Sequence, residues 1–134
     1  MRIEVAGIPA PQGSKRHVGG GRMVESSRAV GPWREAVRAE TQRARDGETF
    51  GSDEPVVVDI LFHLPRPKSA PKRVTWPVKR PDLDKLVRAV LDGLVAGGAL
   101  ADDSQVVCLT VSKQFGQPGC FIDIDLPEVY GYEP

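Results

Sequence analysis

The chain has 134 residues, with 18 acidic and 18 basic side chains and 40% hydrophobic residues, which fits a single domain with one core. No apolar run approaches the roughly 20 residues that a membrane span requires, and the N-terminus lacks the apolar stretch of a signal peptide, so we expect a cytoplasmic protein. The two cysteines and two histidines are too few and too scattered for a disulfide scaffold or a four-ligand zinc site, and we expect free thiols.

The first 45 residues predict a strand, a basic loop and a helix. Residues 2 to 8 alternate apolar and polar side chains, as a half-buried strand does. Residues 9 to 31 are rich in proline, glycine, serine and basic side chains, so we predict a loop that either binds a polyanion or is simply solvated. Residues 32 to 45 begin with proline and continue with good helix formers, which predicts a helix with Trp33 and Val37 on its buried side.

A strand and a basic connector follow. In residues 55 to 64 the β-branched and aromatic side chains fall on one face, which predicts a strand. His63 falls on the other face, where we interpret it as structural. Residues 65 to 81 combine five prolines with six basic side chains, which predicts a proline-rich basic connector.

The remaining residues predict a helix and two strands. Apolar residues recur at helical spacing from Leu83 to Val95, and Gly97 and Gly98 end the helix. Residues 105 to 112 and 120 to 126 alternate as strands do, and we predict that they pair as an antiparallel hairpin. This order of elements predicts an α+β fold over residues 1 to 134, with two main helices packed on a mixed or antiparallel four-stranded sheet.

Charge is segregated along the chain. Residues 1 to 80 carry 15 basic and 9 acidic side chains, a net charge of +6, whereas residues 81 to 134 carry 3 and 9, a net charge of −6. A metal-dependent enzyme acting on a polyanion needs cations for phosphate and carboxylates for the metal. Attraction between the two halves within one fold explains the same pattern, and charge alone does not separate the two interpretations.

Four aspartates flank the helix that begins near residue 83. Asp82 and Asp84 stand at its start, where N-capping and the helix dipole are a sufficient structural explanation, and Asp102 and Asp103 follow its end. A helix of about 15 residues spans roughly 22 Å, so the two pairs meet only if the chain returns alongside the helix.

Carboxylates without nearby histidine or cysteine are hard oxygen ligands suited to Mg²⁺, with Mn²⁺ as the alternative. Magnesium held by aspartates commonly serves phosphodiester hydrolysis. A D-x-D pair by itself is a weak signal, because it also occurs in metal-dependent glycosyltransferases and in phosphatases that attack through an aspartate.

The run "RPDLDKLVRAVLDGLVAGGALADDSQVVCLTVSK", residues 80 to 113, resembles the RusA family of Holliday junction resolvases. The shared features are a D-x-D at a helix start, a basic residue four positions further on, a D-(A/G)-L element in the helix, a D-x-Q-(V/I) stretch and a strand followed by a lysine. The basic N-terminal loop and the "PWR" helix support the match. The close resemblance covers about a quarter of the chain.

The resemblance implies a homodimeric, Mg²⁺-dependent endodeoxyribonuclease that resolves four-way DNA junctions by paired symmetric nicks in recombination and repair, with no membrane and no small-molecule cofactor. It implies Asp82, Asp84 and Asp103 as the metal-binding acids and places Arg88 at the family's catalytic lysine. Arginine stabilises phosphate charge but, with a pKa above about 12, does not readily exchange a proton. Lys85 is therefore the alternative catalytic cation.

Other charged residues are assigned more simply. Arg88 has a structural alternative, an ion pair along the helix with Asp84 and Asp92. Asp102 is either a hydrogen-bonding neighbour of the metal ligands or a solvated loop residue, Asp92 is structural, and Asp123 and Asp125 are surface charges. The predicted contacts to DNA phosphates, which give affinity without reading sequence, are Lys15, Arg16, Arg73, Lys79 and Arg80.

Two other functions are alternatives to the nuclease. A non-catalytic DNA-binding module of the same fold would bind junctions without metal-dependent cleavage. A D-x-D transferase is disfavoured because the chain is short and shows no nucleotide-sugar domain.

Overall fold

The computed structural model describes residues 1–13, 15–18, 22–25 and 28–134. Within these residues, two helices and six strands follow in chain order: β1 Arg2–Ala6, β2 Lys15–Val18, β3 Arg22–Glu25, α1 Val30–Ala44, β4 Val56–Leu64, α2 Leu83–Ala96, β5 Val106–Phe115 and β6 Gly119–Asp125. Short 3-10 turns occupy Asp103–Gln105 and Pro127–Tyr130. The predicted α+β class, with two helices and a four-stranded sheet, is confirmed.

The main sheet is mixed, with strand order β1-β6-β4-β5. β4 and β5 are parallel, and β6 lies antiparallel between β1 and β4. The predicted hairpin of the last two strands is therefore wrong. The turn after β5 passes across the end of β4, where the Gly116 amide donates to the Leu64 carbonyl over 3.0 Å, and β6 enters the sheet beyond it. Alternation of apolar and polar residues predicts that a segment is a strand, but it does not identify the strand with which that segment pairs.

The core lies between one face of this sheet and the two helices. Val56, Val58, Ile60, Phe62 and Leu64 are buried, as the alternation in this segment predicts. The first four of them pack with apolar side chains from both helices. The opposite face of β4 is half-buried. There His63 packs edge-on against Phe121, with ring centroids 5.6 Å apart, in a structural role.

The predicted loop over residues 9 to 31 is wrong in part. The backbone of residues 15–18 pairs antiparallel with that of residues 22–25, forming a separate two-stranded sheet. In sequence the two segments read KRHV and RMVE, which mix charged and apolar residues without consistent alternation. Because strand prediction depends on that alternation, the sequence gives no strand signal in this region.

The two helices pack closely because α2 presents glycine to α1. A Cβ atom added at Gly93 would lie 2.5 Å from the Val37 side chain, and one at Gly97 would lie 2.7 Å from the Arg38 carbonyl. α2 returns from the end of β4 to the start of the parallel strand β5. The start of α2 therefore lies at the carboxyl ends of both strands. Within the described residues, no helix has the length and apolar character to cross a membrane.

Candidate active site at the start of the second helix

Two carboxylates mark the start of α2. Asp82 is the N-cap residue, with an extended backbone at φ −70° and ψ 140°, and Asp84 lies in the first turn. The Asp82 carboxylate makes no capping hydrogen bond to the described part of the helix, so its predicted capping role is wrong. Asp82 and Asp84 are both exposed. These carboxylates are consequently available to a ligand from outside the helix.

Two cations accompany these acids on the same helix. The Lys85 ammonium lies 3.9 Å from the Asp82 carboxylate. Arg88 is exposed and forms no ion pair within 4 Å with any described residue, whereas Asp92 pairs instead with Arg34 on α1 over 3.6 Å. The structural alternative for Arg88, an ion pair with Asp84 and Asp92, is therefore not formed. Its guanidinium remains available to an anionic ligand.

Lys113, near the end of β5, fixes the backbone that leads into Asp82. Its ammonium donates to the Lys79 carbonyl over 3.0 Å and to the Pro81 carbonyl over 2.9 Å. Both acceptors lie more than 30 residues away in sequence, so the contact ties the sheet to the start of α2. Lys113 was not among the predicted site residues. The signal for it was the lysine after the strand in the family resemblance, which carries no indication of what that lysine touches.

The N-terminal basic segment also meets the start of α2. The Gln12 amide donates to the Lys85 carbonyl over 3.0 Å, which anchors residue 12 against the first turn of the helix. The predicted DNA contacts Lys15 and Arg16 follow within four residues. Their side chains lie outside the part of the chain that the structure describes.

The connector of residues 65 to 81 contains no helix or strand, as predicted, but it is held in a defined loop. The Arg66 guanidinium donates to the Pro71 and Val74 carbonyls and lies 5.3 Å from the centre of the Phe115 ring. Arg66 is thus engaged within the loop. The other exposed cations of the connector are Lys68, Lys72, Arg73, Lys79 and Arg80.

Asp102 and Asp103 lie at the opposite end of α2, at the 3-10 turn before β5. Gln105 is only 6% exposed and holds this turn: its side-chain oxygen accepts the amides of Ala101 and Asp102, at 2.8 Å and 3.0 Å. Its side-chain nitrogen donates to three carbonyls in residues 50–54. The turn is therefore fixed in position by one buried amide side chain.

The pKa values of the two acids in this turn shift in opposite directions. The pKa of Asp103 is raised, first because its protonated form donates a hydrogen bond to Asp102, and further because of burial and the negative charges of Asp102 and Asp92. The pKa of Asp102 is lowered by hydrogen bonds from Ser104 and Asp103. The turn leads directly into Val106 at the start of β5, whereas Lys113, seven residues further along that strand, contacts the backbone before Asp82. Asp103 therefore lies away from the start of α2.

The residues present fit a divalent cation only partly. Among the described residues, no group of three or more histidine, cysteine, aspartate or glutamate side chains is close enough to hold a metal ion. Mg²⁺ is commonly held by one or two carboxylates, with substrate phosphates and water completing its octahedral coordination. The exposed pair of Asp82 and Asp84 fits that requirement. Asp103 does not join them within one chain.

One known protein family matches a part of the chain that includes both ends of α2. A family model described as "Endodeoxyribonuclease RusA" matches residues 5–125, which include both candidate carboxylates, the connector and Lys113. No curated protein matches the chain.

Proposed function

Because this chain belongs to the RusA family of endodeoxyribonucleases, we propose that it cuts four-way DNA junctions by paired, Mg²⁺-dependent symmetric nicks in recombination and repair. The observation that carries the proposal is the start of α2. There two exposed carboxylates, Asp82 and Asp84, stand beside Lys85 and Arg88 at the end of a basic connector. Acids for a metal and cations for phosphate thus meet on one surface.

Asp82 and Asp84 are the proposed Mg²⁺ ligands, with Mn²⁺ as an alternative ion. A bound divalent ion would supply Lewis acidity at the scissile phosphate and lower the pKa of water. Asp103 is proposed as a third ligand on the resemblance alone. Since it lies at the other end of α2 in one chain, it would have to come from a second chain or from a rearranged turn.

The cations of α2 have separate proposed roles. Arg88 keeps its charge at any working pH and offers a planar, bidentate donor set to phosphate oxygens. Lys85, beside Asp82, offers an ammonium that is able to give up a proton. Both would offset negative charge that develops on the phosphate and the leaving oxygen as the bond breaks.

DNA binding is proposed to depend on phosphate contacts from the connector and the N-terminal basic segment. The proposed contacts are Lys15, Arg16, Arg73, Lys79 and Arg80. Such contacts release counterions from DNA, so affinity should fall steeply as salt rises. They orient the duplex arms without reading base sequence.

A homodimer is proposed as the working unit, acting in the cytoplasm. A four-way junction presents two equivalent scissile strands, and paired nicks require two active sites. A two-fold symmetric dimer would supply two copies of the α2 start in a fixed relationship.

The proposed function is tested with a synthetic four-way junction and its component linear duplexes. We expect nicks in two opposing strands of the junction when Mg²⁺ is present, none in EDTA, and little cleavage of the duplexes. Binding measured in EDTA should favour the junction and weaken with added salt. Junction binding without cleavage in Mg²⁺ or Mn²⁺ would instead identify a non-catalytic DNA-binding module.

Lys113→Met is expected to reduce cleavage about 10-fold to 100-fold, the range observed when residues supporting metal ligands are lost. The two hydrogen bonds from Lys113 hold the residues immediately before Asp82. Their loss should also lower the free energy of unfolding by about 1 to 2 kcal/mol. This value is near the lower end of the range for hydrogen bonds to charged groups, because the contact is partly exposed. Cleavage should be measured across a Mg²⁺ titration, with stability from urea denaturation.

The control for Lys113 is Lys68→Met. Lys68 is exposed and makes no hydrogen bond to the described residues, so its stability should stay within about 0.5 kcal/mol of the wild type. Lys113→Arg should recover part of the cleavage, and Lys113→Met should need more Mg²⁺ for half-maximal rate. An unchanged Mg²⁺ dependence in Lys113→Met would show that Lys113 does not position the carboxylates.

A further inference from the structure

An apolar groove of about 330 Å³ lies beside the start of α2. The connector forms one wall, and residues at the ends of β4 and β5 form the floor. Its main apolar side chains, apart from several prolines, are Ile8, Leu64, Trp76, Val78 and Phe115.

The groove exposes large apolar side chains that the core does not need. Ile8 is 65% exposed, Trp76 is 58% exposed and Val78 is 78% exposed, and all three line the same depression. Single exposed apolar residues are common, but several that converge on one concavity with a polar rim mark an interaction site. Burial of these side chains by a ligand would be favourable.

Charge around the groove selects an anionic partner. Lys79 and Arg80 belong to the groove lining, and no acidic residue does among those described. The exposed cations Lys68, Lys72 and Arg73 lie on the same connector. The partner therefore combines an apolar, flat group with negative charge, which is the chemistry of a nucleotide.

The groove is continuous with the candidate active site. Arg80 is separated from Asp82 by Pro81 alone, and Pro81 also lines the groove. A DNA strand whose phosphate lies at Asp82 and Asp84 would pass the mouth of the groove with its neighbouring nucleotide. A second copy of this chain would instead have to cover the same cations.

We propose that the groove receives one unstacked nucleobase of junction DNA, with Trp76 as the stacking surface and Lys79 and Arg80 on the adjoining phosphates. The inference rests on the proposed function and adds a nucleobase site to it. Base stacking on an aromatic side chain tolerates any sequence, because every base has a π face. Bases at a branch point are the natural source, since a base with disrupted stacking costs least to extrude.

The groove is already shaped for a ligand. The Arg66 guanidinium lies over the Phe115 ring and donates to the Pro71 and Val74 carbonyls, which holds the connector wall against the floor. A wall fixed in this way loses little conformational freedom when a base enters.

The test is a cycle that combines Trp76→Ala with abasic substitution at each nucleotide around the branch point, with Kd measured in EDTA. Trp76→Ala should weaken junction binding about tenfold, within the range for losing one base-aromatic stack, and leave duplex binding unchanged. One abasic position should weaken wild-type binding by a similar factor. That position should have no further effect on Trp76→Ala, because both changes remove the same contact.

Trp76→Phe should retain most of the affinity, and Val78→Asn provides a second variant of the groove with Trp76 intact. Additive effects at every abasic position would overturn the nucleobase site. The nucleobase site would also be overturned if a groove variant left junction binding unchanged but weakened self-association, measured by sedimentation. The groove would then be an interface between copies of this chain. Failure of the wild-type protein to bind or cut the intact junction would instead contradict the proposed function itself.

Discussion

Asp82→Asn and Asp84→Asn are each expected to lower the rate of junction cleavage at least about 100-fold while junction binding in EDTA persists. Each change removes a negative ligand but keeps the size of the side chain. Metal assistance to phosphodiester cleavage amounts to several kcal/mol, and each 1.4 kcal/mol corresponds to a factor of ten in rate. Both side chains are exposed, and Asp82 makes no capping bond within the described helix. The fold should therefore be retained.

The matched control is Asp46→Asn. Asp46 is an exposed aspartate that follows α1, and its positive φ of 48° is one that asparagine also adopts readily. This variant should cut at the wild-type rate. Single-turnover cleavage at saturating protein separates the chemical step from binding, and urea denaturation checks the fold. Full cleavage by either Asp82→Asn or Asp84→Asn at saturating Mg²⁺ would remove the start of α2 as the catalytic centre.

Asp103→Asn applies the same measurement to a residue that is assigned by resemblance alone. If Asp103 reaches the metal in the assembled enzyme, its replacement should reduce cleavage as severely as replacement of Asp82. The asparagine would also relieve repulsion from Asp102 and Asp92, the two negative charges that raise the pKa of Asp103. A stable variant with lost cleavage would identify a catalytic contribution, whereas a stable variant with full cleavage would leave Asp103 a structural acid.

The helix that begins with Leu83 was the element best specified by the sequence. Its apolar residues recur on one face over the whole helix. Periodicity within the segment is therefore sufficient to predict which face is buried. The same local information located the acid pair at its start and the basic connector before it. These features depend on neighbours within a few residues, which a single sequence displays directly.

Features that depend on contacts between residues distant in sequence were harder to predict. The partner of β5 is β4, more than 40 residues earlier, and the alternation of either strand fits several partners. Lys113 acts through backbone carbonyls of Lys79 and Pro81, which have no side-chain signature. The separation of Asp103 from Asp82 follows from the direction of α2 relative to β5. The spacing of the aspartates along the chain allowed them to converge on one site but did not require it.

Gln105 supports the other end of α2, and Gln105→Ala is expected to lower the free energy of unfolding by about 3 kcal/mol. Its side-chain oxygen accepts two amides, and its nitrogen donates to the carbonyls of Phe50, Gly51 and Glu54 at 3.3 Å, 2.6 Å and 3.1 Å. Each such hydrogen bond contributes on the order of 1 kcal/mol, and loss of one partner leaves buried polar groups unsatisfied. Water that enters the space recovers part of the loss.

Gln105→Glu separates the two halves of this role. A carboxylate keeps the acceptor for Ala101 and Asp102 but places a second negative oxygen against three carbonyl oxygens. At neutral pH this variant should therefore be at least as unstable as Gln105→Ala. Its deficit should shrink as the pH is lowered enough to protonate the carboxyl, because an O–H donor then faces those carbonyls.

Gln117→Ala is the matched control, since Gln117 is exposed and makes no side-chain hydrogen bond to the described residues. Its unfolding free energy should remain within about 0.5 kcal/mol of the wild type. Urea denaturation followed by circular dichroism measures all three variants on one scale. Equal stability of Gln105→Ala and Gln117→Ala would mean that water replaces the amide without loss. The turn that carries Asp102 and Asp103 would then owe its position to backbone contacts, such as the bridge between Phe50 and Leu100.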